Sequence, residues 1–434
     1  MKRLIHSLRP CVAATAFVFG LALAAVLRGE VVYDQGTSAI GGKPFLVKGV
    51  YGVGMEEMGK VAGYGFNVVQ NYGFSGWTDE QVADYLKQAQ NRKLKVLFHL
   101  GVNKLTPDVV DPVRRRVGKF KDHPALYAWY LADEPSVAKY KPEDLAALYQ
   151  WIKKTDPAHP VFSSNWELNN FKDACDVDMP QFYHGPPSRL RNGPLPQRQS
   201  IYEKNGVPWI AIANTHDALE FSLPVPPDAE CLSPAYLMKN EGAAKHLPDA
   251  DPGKIRTKIK AIQTHLANPP YKTLPAFPDT PEKVRGQAFA MMAHGSNGIF
   301  YWLYQPEDSI NEQYGYYTIF TRPALRDALK STLAELDTLW PRICAPAKNS
   351  TTWYDKETKD VFCWFRRETT RITLMLVNES TATHNVNTPI PSLERYPVLH
   401  ATVSGENRRV KIENGILKDQ FSGNQTHIYL IDPQ

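Results

Sequence analysis

The stretch His123-Pro-Ala-Leu-Tyr-Ala-Trp-Tyr-Leu-Ala-Asp-Glu-Pro135 decides how the rest of the chain is read. It opens on a His-Pro turn signal, runs through an apolar and aromatic segment suited to a buried strand, and ends in two adjacent acids stopped by proline. A strand buried on both faces gives such a continuous run, which is the mark of a parallel sheet covered by helices. Acids at the exit of a buried strand are costly to desolvate, and the carboxyl ends of barrel strands are where functional side chains collect. Glu134 is therefore the first candidate for chemistry. The plainer alternative is a loop in which Asp133 caps the next helix, Pro135 starts it and Glu134 is merely solvated.

The flanks favour the strand. Short apolar runs alternate with helix-like segments from Lys43 onward, which predicts a parallel α/β architecture. The expected strands are 43–51, 66–72, 94–100, 126–132, 160–165, 177–184, 207–214 and 297–304. The expected helices are 55–63, 79–91, 110–121, 145–155, 281–294 and 324–339. Eight strand candidates with helical or loop returns predict a (β/α)8 TIM barrel. The irregular region 215–281, dense in Pro, Asp and Lys, follows the seventh strand, where a loop of that length is expected to wall a site. Beyond Cys344 helical spacing disappears. Strands at 352–365, 371–378, 398–403, 409–413 and 426–431 predict a smaller C-terminal antiparallel β-sandwich. The resulting division is a signal peptide at 1–29, a barrel at 30–343 and a sandwich at 344–434.

A chain of 434 residues exceeds what one core usually holds, and 43% hydrophobic with 11% aromatic residues describes a globular protein. The formal charge of +5 includes Lys2, Arg3, Arg9 and Arg28, in or beside the leader. The remainder is near neutral and has no basic stripe, which argues against nucleic acid as a partner. The leader has a basic start, an apolar run from Cys11 to Leu27 and small residues at Ala22 and Ala24. It reads as a secretory signal cleaved between Ala24 and Glu30, making the protein secreted or periplasmic. An uncleaved N-terminal anchor is the alternative, and no other segment is apolar enough for a membrane. Of the remaining cysteines, Cys175, Cys231, Cys344 and Cys363, the last two could tie the domain junction as a disulfide, or all could be buried thiols. Their spacing matches no zinc site, and neither a dinucleotide fingerprint nor a phosphate loop is present, so no metal or cofactor is expected.

His123-Pro124 followed by Trp129, Asp133, Glu134 and Pro135 resembles the fourth-strand motif of clan A glycoside hydrolases, where the strand ends in Asn-Glu-Pro or a variant. Gly295-Ser-Asn-Gly-Ile-Phe-Tyr-Trp302 is similar to the eighth strand of those proteins, whose Trp floors the sugar site. Pro281-Glu-Lys-Val-Arg-Gly-Gln287 resembles the helix before it. The stretch from Phe421 to Leu430 resembles the last strands of sandwich domains appended to such barrels.

The resemblance implies a glycoside hydrolase acting on a poly- or oligosaccharide, with Glu134 as general acid/base, kept partly protonated by an apolar wall such as Trp129 or Trp302. It places Asp133 where an Asn commonly binds the sugar 2-hydroxyl. Most such enzymes need a second carboxylate near the anomeric carbon. At the end of the seventh strand, where the clan has a nucleophilic Glu, this chain has Ala213-Asn-Thr-His-Asp217. Asp217 is the candidate, with Glu220, Glu307 and Asp308 as other acids nearby. Asn71, His99, Tyr183, His184, Asn214 and Trp302 are expected to contact substrate, although His99 and Tyr183 would also suit buried, hydrogen-bonded places. A rival from another class is a non-catalytic carbohydrate-binding barrel that has kept the groove and lost the nucleophile.

Overall fold

The computed structural model describes residues 31–432 except 35–36, 103, 166–167, 184–186, 192–194, 216–277, 279, 307–317, 321 and 344–349. The expected leader lies outside the described residues. The chain opens with a three-stranded antiparallel meander, β1 (Val31–Asp34), β2 (Thr37–Ile40) and β3 (Lys43–Pro44). Nine short parallel strands follow: β4 (Val47–Val50), β5 (Val68–Val69), β6 (Lys95–His99), β7 (Leu126–Asp133), β8 (Val161–Ser164), β9 (Val177–Asp178), β10 (Gln181–Phe182), β11 (Ala211–Asn214) and β12 (Gly298–Trp302). Their order, β10-β11-β12-β4-β5-β6-β7-β8-β9, begins and ends on segments that are consecutive in the chain.

Those two segments are halves of one strand. Pro180 between them has no N–H to give a ladder, so β9 pairs with β8 and β10 with β11. The amide of Asp178 donates to the Pro208 carbonyl and that of Ile210 to the Asp178 carbonyl, which joins the edges. The sheet therefore closes as an eight-stranded TIM barrel, with helices outside it.

The described helices are α1 (Met58–Tyr64), α2 (Asp79–Asn91), α3 (Pro107–Phe120), α4 (Pro142–Thr155), α5 (Leu168–Phe171), α6 (Pro187–Arg191), α7 (Leu195–Asn205), α8 (Pro281–Ala293) and α9 (Pro323–Ile343). Local sequence sets their starts. Thr78 and Gln81 form a reciprocal capping box on α2, and α3, α4 and α8 begin with a proline whose missing N–H costs nothing there. On α2, Val82, Tyr85, Leu86 and Ala89 are buried at helical spacing.

Side chains of β7 alternate between two cores. Tyr127 and Tyr130 enter the barrel interior with Leu97, Phe162, Ile212 and Phe300, while Trp129 and Leu131 face the helix layer. The Trp129 indole N–H donates to Asp156 Oδ2 at 2.7 Å. Trp129 is thus on the face of the strand opposite the barrel interior, and the expectation that it walls an acidic pocket is corrected. At the amino end of the barrel the meander supplies a plug. Phe45 meets the Tyr127 ring at 5.4 Å, Tyr33 meets Phe162 at 5.9 Å, and the Tyr33 and Tyr127 hydroxyls are hydrogen-bonded.

The C-terminal region is an eight-stranded antiparallel sheet: β13 (Ser350–Tyr354), β14 (Val361–Arg367), β15 (Ile372–Asn378), β16 (His384–Pro389), β17 (Val398–Val403), β18 (Arg409–Glu413), β19 (Ile416–Phe421) and β20 (Thr426–Ile431), in the order β13-β14-β15-β20-β17-β18-β19-β16. Only Thr402 and Val403 of β17 pair with β20. About that narrow join the sheet folds over, bringing Leu374, Leu376 and Tyr429 against Val386, Ala401, Ile412 and Leu417. Cys363 is a free, buried thiol in this core, and Cys344, its expected partner, lies outside the described residues.

The other face of the same strands, with Phe362, Trp364, Met375, Val377 and Ile428, merges with the barrel's outer core. Helix α8 lies at this junction. A side chain at Gly286 would meet the Asn424 carbonyl oxygen at 2.5 Å, so the helix has no room to turn away. A buried polar group fixes the same seam: His294 Nε2 is 2.7 Å from Glu379 Oε1, and the Tyr354 hydroxyl donates to Glu379 Oε2 at 2.8 Å. Among the described residues no helix is long and apolar enough to cross a membrane.

Candidate active site

The site is built at the carboxyl ends of the barrel strands, and β7 carries its centre. Its register against β8 shifts between Tyr130 and Ala132. Leu131 and Ala132 consequently both belong to the outer core, and the residue that turns inward is Asp133. The Asp133 carboxyl group accepts a hydrogen bond from the Tyr130 hydroxyl on Oδ1 at 2.9 Å and one from the Tyr72 hydroxyl on Oδ2 at 3.1 Å. Burial raises the Asp133 pKa from 3.8 to about 6 and the neighbouring Glu134 charge adds to the rise, against the pull of the two phenol hydrogen bonds. The same packing raises the Tyr51, Tyr72 and Tyr130 pKa values, by burial first and then by the Asp133 charge.

Glu134 follows with φ = 47°, a left-handed conformation that costs a residue with a Cβ about 1–3 kcal/mol. Its amide donates to the Ser164 carbonyl at 2.9 Å, and its carbonyl accepts from the Ala138 amide at 3.0 Å. These bonds hold the strained turn. Glu134 is half-buried, as is Asp133.

Aromatic rings surround the pair. Tyr51 stacks on Tyr72 at 5.7 Å, His99 meets the Tyr72 ring edge-on at 5.1 Å, and Tyr130 lies 5.7 Å from His99. Burial lowers the His99 pKa to about 4, so the ring is neutral near pH 7, and its Nδ1 has no hydrogen-bond partner. Across the barrel mouth, Trp302 at the end of β12 stacks on Tyr183 at 5.0 Å and 26°. The Trp302–Leu303 peptide is cis. Asn214 ends β11 in register with Trp302 and donates to the Tyr183 carbonyl at 3.3 Å. The next residue, Thr215, donates its hydroxyl to the Leu303 carbonyl at 2.7 Å.

The expected residues are thus partly brought together. Asp133, Glu134, His99, Tyr183, Asn214 and Trp302 all lie at strand ends on this rim. Asn71 does too, but its amide is spent on the loop, accepting from Gly73 N at 2.7 Å and donating to the Val53 carbonyl at 2.8 Å. His184, Asp217, Glu220, Glu307 and Asp308 lie outside the described residues. Sequence reading missed Tyr51, Tyr72 and Tyr130, whose rings look like core, and three polar residues at inward positions: Gln70, Ser164 and Gln181. Gln70 is fully buried with neither amide atom bonded, and Gln181 donates to the Ser164 hydroxyl at 3.3 Å while its own Oε1 is unbonded. The signal available was strand alternation, since each stands two residues beyond an interior Val68, Phe162 or Met179. Among the described residues no cluster of His, Cys, Asp or Glu could hold a metal ion.

Residues 63–220, which include β5 to β11 and the acidic pair, match the model of the glycosyl hydrolases family 2 TIM barrel domain. Over those residues the chain is similar to a glycoside hydrolase barrel. A structure titled as a glycoside hydrolase shares this fold with a TM-score of 0.57 at 14% identity, covering 94% of this chain and 98% of that one. A glycoside hydrolase family 5 structure from Bacteroides vulgatus gives 0.58 at 13% identity, covering 94% of each chain. An alpha-amylase from Geobacillus thermoleovorans gives 0.54 at 10% identity, covering 88% of this chain and 91% of that chain. No curated protein matches the sequence. The structural likenesses establish the barrel fold, and the family match over residues 63–220 is what supports a glycosidase in general terms.

Proposed function

We propose that the protein is an exported glycosidase that hydrolyses a poly- or oligosaccharide, with Glu134 as the proton donor to the leaving oxygen. The observation that carries this reading is the acidic pair at the end of β7, set inside an aromatic rim that includes the stacked Tyr183 and Trp302. Glycosidic cleavage needs a carboxylic acid beside the leaving group, and sugar rings pack on aromatic faces. Asp133, Asn214, His99 and Tyr183 are proposed to hold the sugar around the bond that breaks. Export rests on the basic start and apolar run of residues 1–30.

Glycosidases differ in the group that acts at the anomeric carbon, which is a second carboxylate in most and part of the substrate in others. Asp217, just past the end of β11, is the candidate for the first route. The deciding experiment is hydrolysis of a panel of aryl glycosides and oligosaccharides by the parent and by Glu134→Gln. Turnover by the parent with a loss of about 10²–10⁴ in the variant supports the proton-donor role. Equal rates in parent and variant would remove it. Oligosaccharide binding without turnover would establish the carbohydrate-binding alternative.

A further inference from the structure

A groove of about 640 Å³ lies at the amino end of the barrel, opposite the acidic pair. Lys95 opens β6 there, Lys121 follows α3, His123 precedes β7, and Asp156 and His159 precede β8. Lys95 Nζ donates to the Pro124 carbonyl at 2.7 Å and Lys121 Nζ to the Thr155 carbonyl at 3.3 Å. Each ammonium has three N–H donors, and neither forms an ion pair among the described residues. Burial lowers the Lys95 pKa, the direction expected of a cation drawn from water without a counter-ion. His123 Nδ1 accepts from the Ala125 amide at 3.1 Å, so in the neutral ring the proton sits on Nε2, a further donor. Burial and then the Lys95 charge lower the His123 pKa, so these two groups repel with no acid between them to relieve it.

The fixed member of the groove is His159, only 6% exposed. Its Nδ1 is 2.9 Å from Asp156 Oδ2, and Asp156 also accepts from the Trp129 indole at 2.7 Å and the Ala158 amide at 3.2 Å. Burial works against the Asp156 charge, but the His159, Trp129 and Ala158 bonds together hold its pKa below the usual carboxylate value. The carboxylate is therefore ionised and can only accept, which makes His159 Nδ1 the donor and leaves Nε2 as the unused polar atom of a buried ring. Of the two acids lining the groove, Asp156 is thus committed, and Asp122 is exposed to solvent.

We infer that this groove binds a phosphate group, with the Lys95 and Lys121 ammonium groups and His123 Nε2 donating to its oxygens and His159 Nε2 sharing a proton with one of them. A bound anion supplies the counter-charge that both lysines lack, through charge-assisted hydrogen bonds. With Nδ1 committed to Asp156, a neutral His159 ring offers a lone pair at Nε2, which a hydrogen phosphate O–H can fill. Sulfate has the same shape and charge but carries no proton at neutral pH, so it is the poorer ligand. The groove is larger than a bare phosphate ion, so the group can arrive as inorganic phosphate or on a small monoester. Because the groove and the acidic pair stand at opposite ends of the barrel, the inference is independent of the glycosidase reading.

The test is calorimetric titration of the full-length protein with inorganic phosphate, glucose 6-phosphate and sulfate at neutral pH and constant ionic strength, with melting temperatures read alongside. The inference expects one saturable phosphate site per chain and a higher melting temperature at saturation. It also expects affinity about tenfold or more lower for sulfate, and for phosphate in each of Lys95→Gln and Lys121→Gln. His159→Gln should remove the preference for phosphate over sulfate. That ring is buried, so the two lysine variants, which each lose one bond to a backbone carbonyl, keep the test decisive if His159→Gln folds poorly. Tighter binding of glucose 6-phosphate than of inorganic phosphate supports the inference with a monoester as the ligand, and the reverse order supports it with the free ion. No saturable binding, or phosphate binding unchanged in both lysine variants, overturns the inference. Sulfate bound as tightly as phosphate by the parent overturns it as well.

Discussion

Replacing Asp133 with Asn separates what the site costs from what it does. A carboxyl group whose pKa stands near 6 in the fold, against 3.8 in the unfolded chain, binds its proton more tightly in the native state. Between those pH values the native state holds more protons than the unfolded one, so stability falls as pH rises through the interval and the full penalty applies above about pH 6. A rise of that size corresponds to about 3 kcal/mol. Asn removes the charge but offers one acceptor where two phenols donate, so about 1 kcal/mol is lost at every pH. Asp133→Asn should therefore be more stable than the parent by about 2 kcal/mol at pH 8 and slightly less stable at pH 4. Urea denaturation of both proteins at the two pH values measures this directly. All other titrating groups are shared, so the difference between the curves isolates Asp133. A difference that does not change with pH would refute the argument that burial holds this acid up.

Further outcomes follow from other parts of the molecule. Asp217→Asn, measured beside Glu134→Gln, should cost about 10² or more in kcat if the second carboxylate belongs to the protein, and much less if the substrate supplies the nucleophile. Trp302→Ala should raise KM more than it lowers kcat, since the stacked platform with Tyr183 binds sugar before and during reaction alike. His294→Ala leaves Glu379 buried at the seam with the Tyr354 hydroxyl alone on its other oxygen, and should lower stability by about 3–5 kcal/mol in urea melts. Glu134→Gly should be more stable than Glu134→Ala by about 1 kcal/mol, because only glycine occupies φ = 47° without strain.

Much of the barrel was legible because its strands are apolar runs bounded by turns. The expected 126–132 became Leu126–Asp133, and the expected helix 79–91 is α2. What stayed hidden has physical causes. The expected strand 177–184 hid a break, because Pro180 interrupts a ladder without interrupting apolarity. Strands β16 and β19 were missed because His384–Pro389 and Ile416–Phe421 bury only alternate residues and expose polar ones, as pairing partners at a sheet edge do. The expected 352–365 merged β13 with β14 across their turn. At the site, composition pointed to the Asp-Glu pair. Which of the two turns inward depends on the slip between Tyr130 and Ala132, a property of pairing that no single strand records. The same slip explains why Trp129, close in sequence, is remote from the chemistry.

Strands β14, β15 and β20 bury both of their faces, one toward the folded-over half of their own sheet and the other toward α8 and the barrel. The C-terminal sheet is therefore a wall of the building and not a room that can be detached. A chain truncated after Ile343 would leave α8 with its apolar side in water, and it should aggregate more readily than the whole protein. For the same reason this sheet cannot be exchanged for a sandwich from another protein as a bead is changed on a string. Any replacement must reproduce the relief that accommodates Gly286 and receives His294.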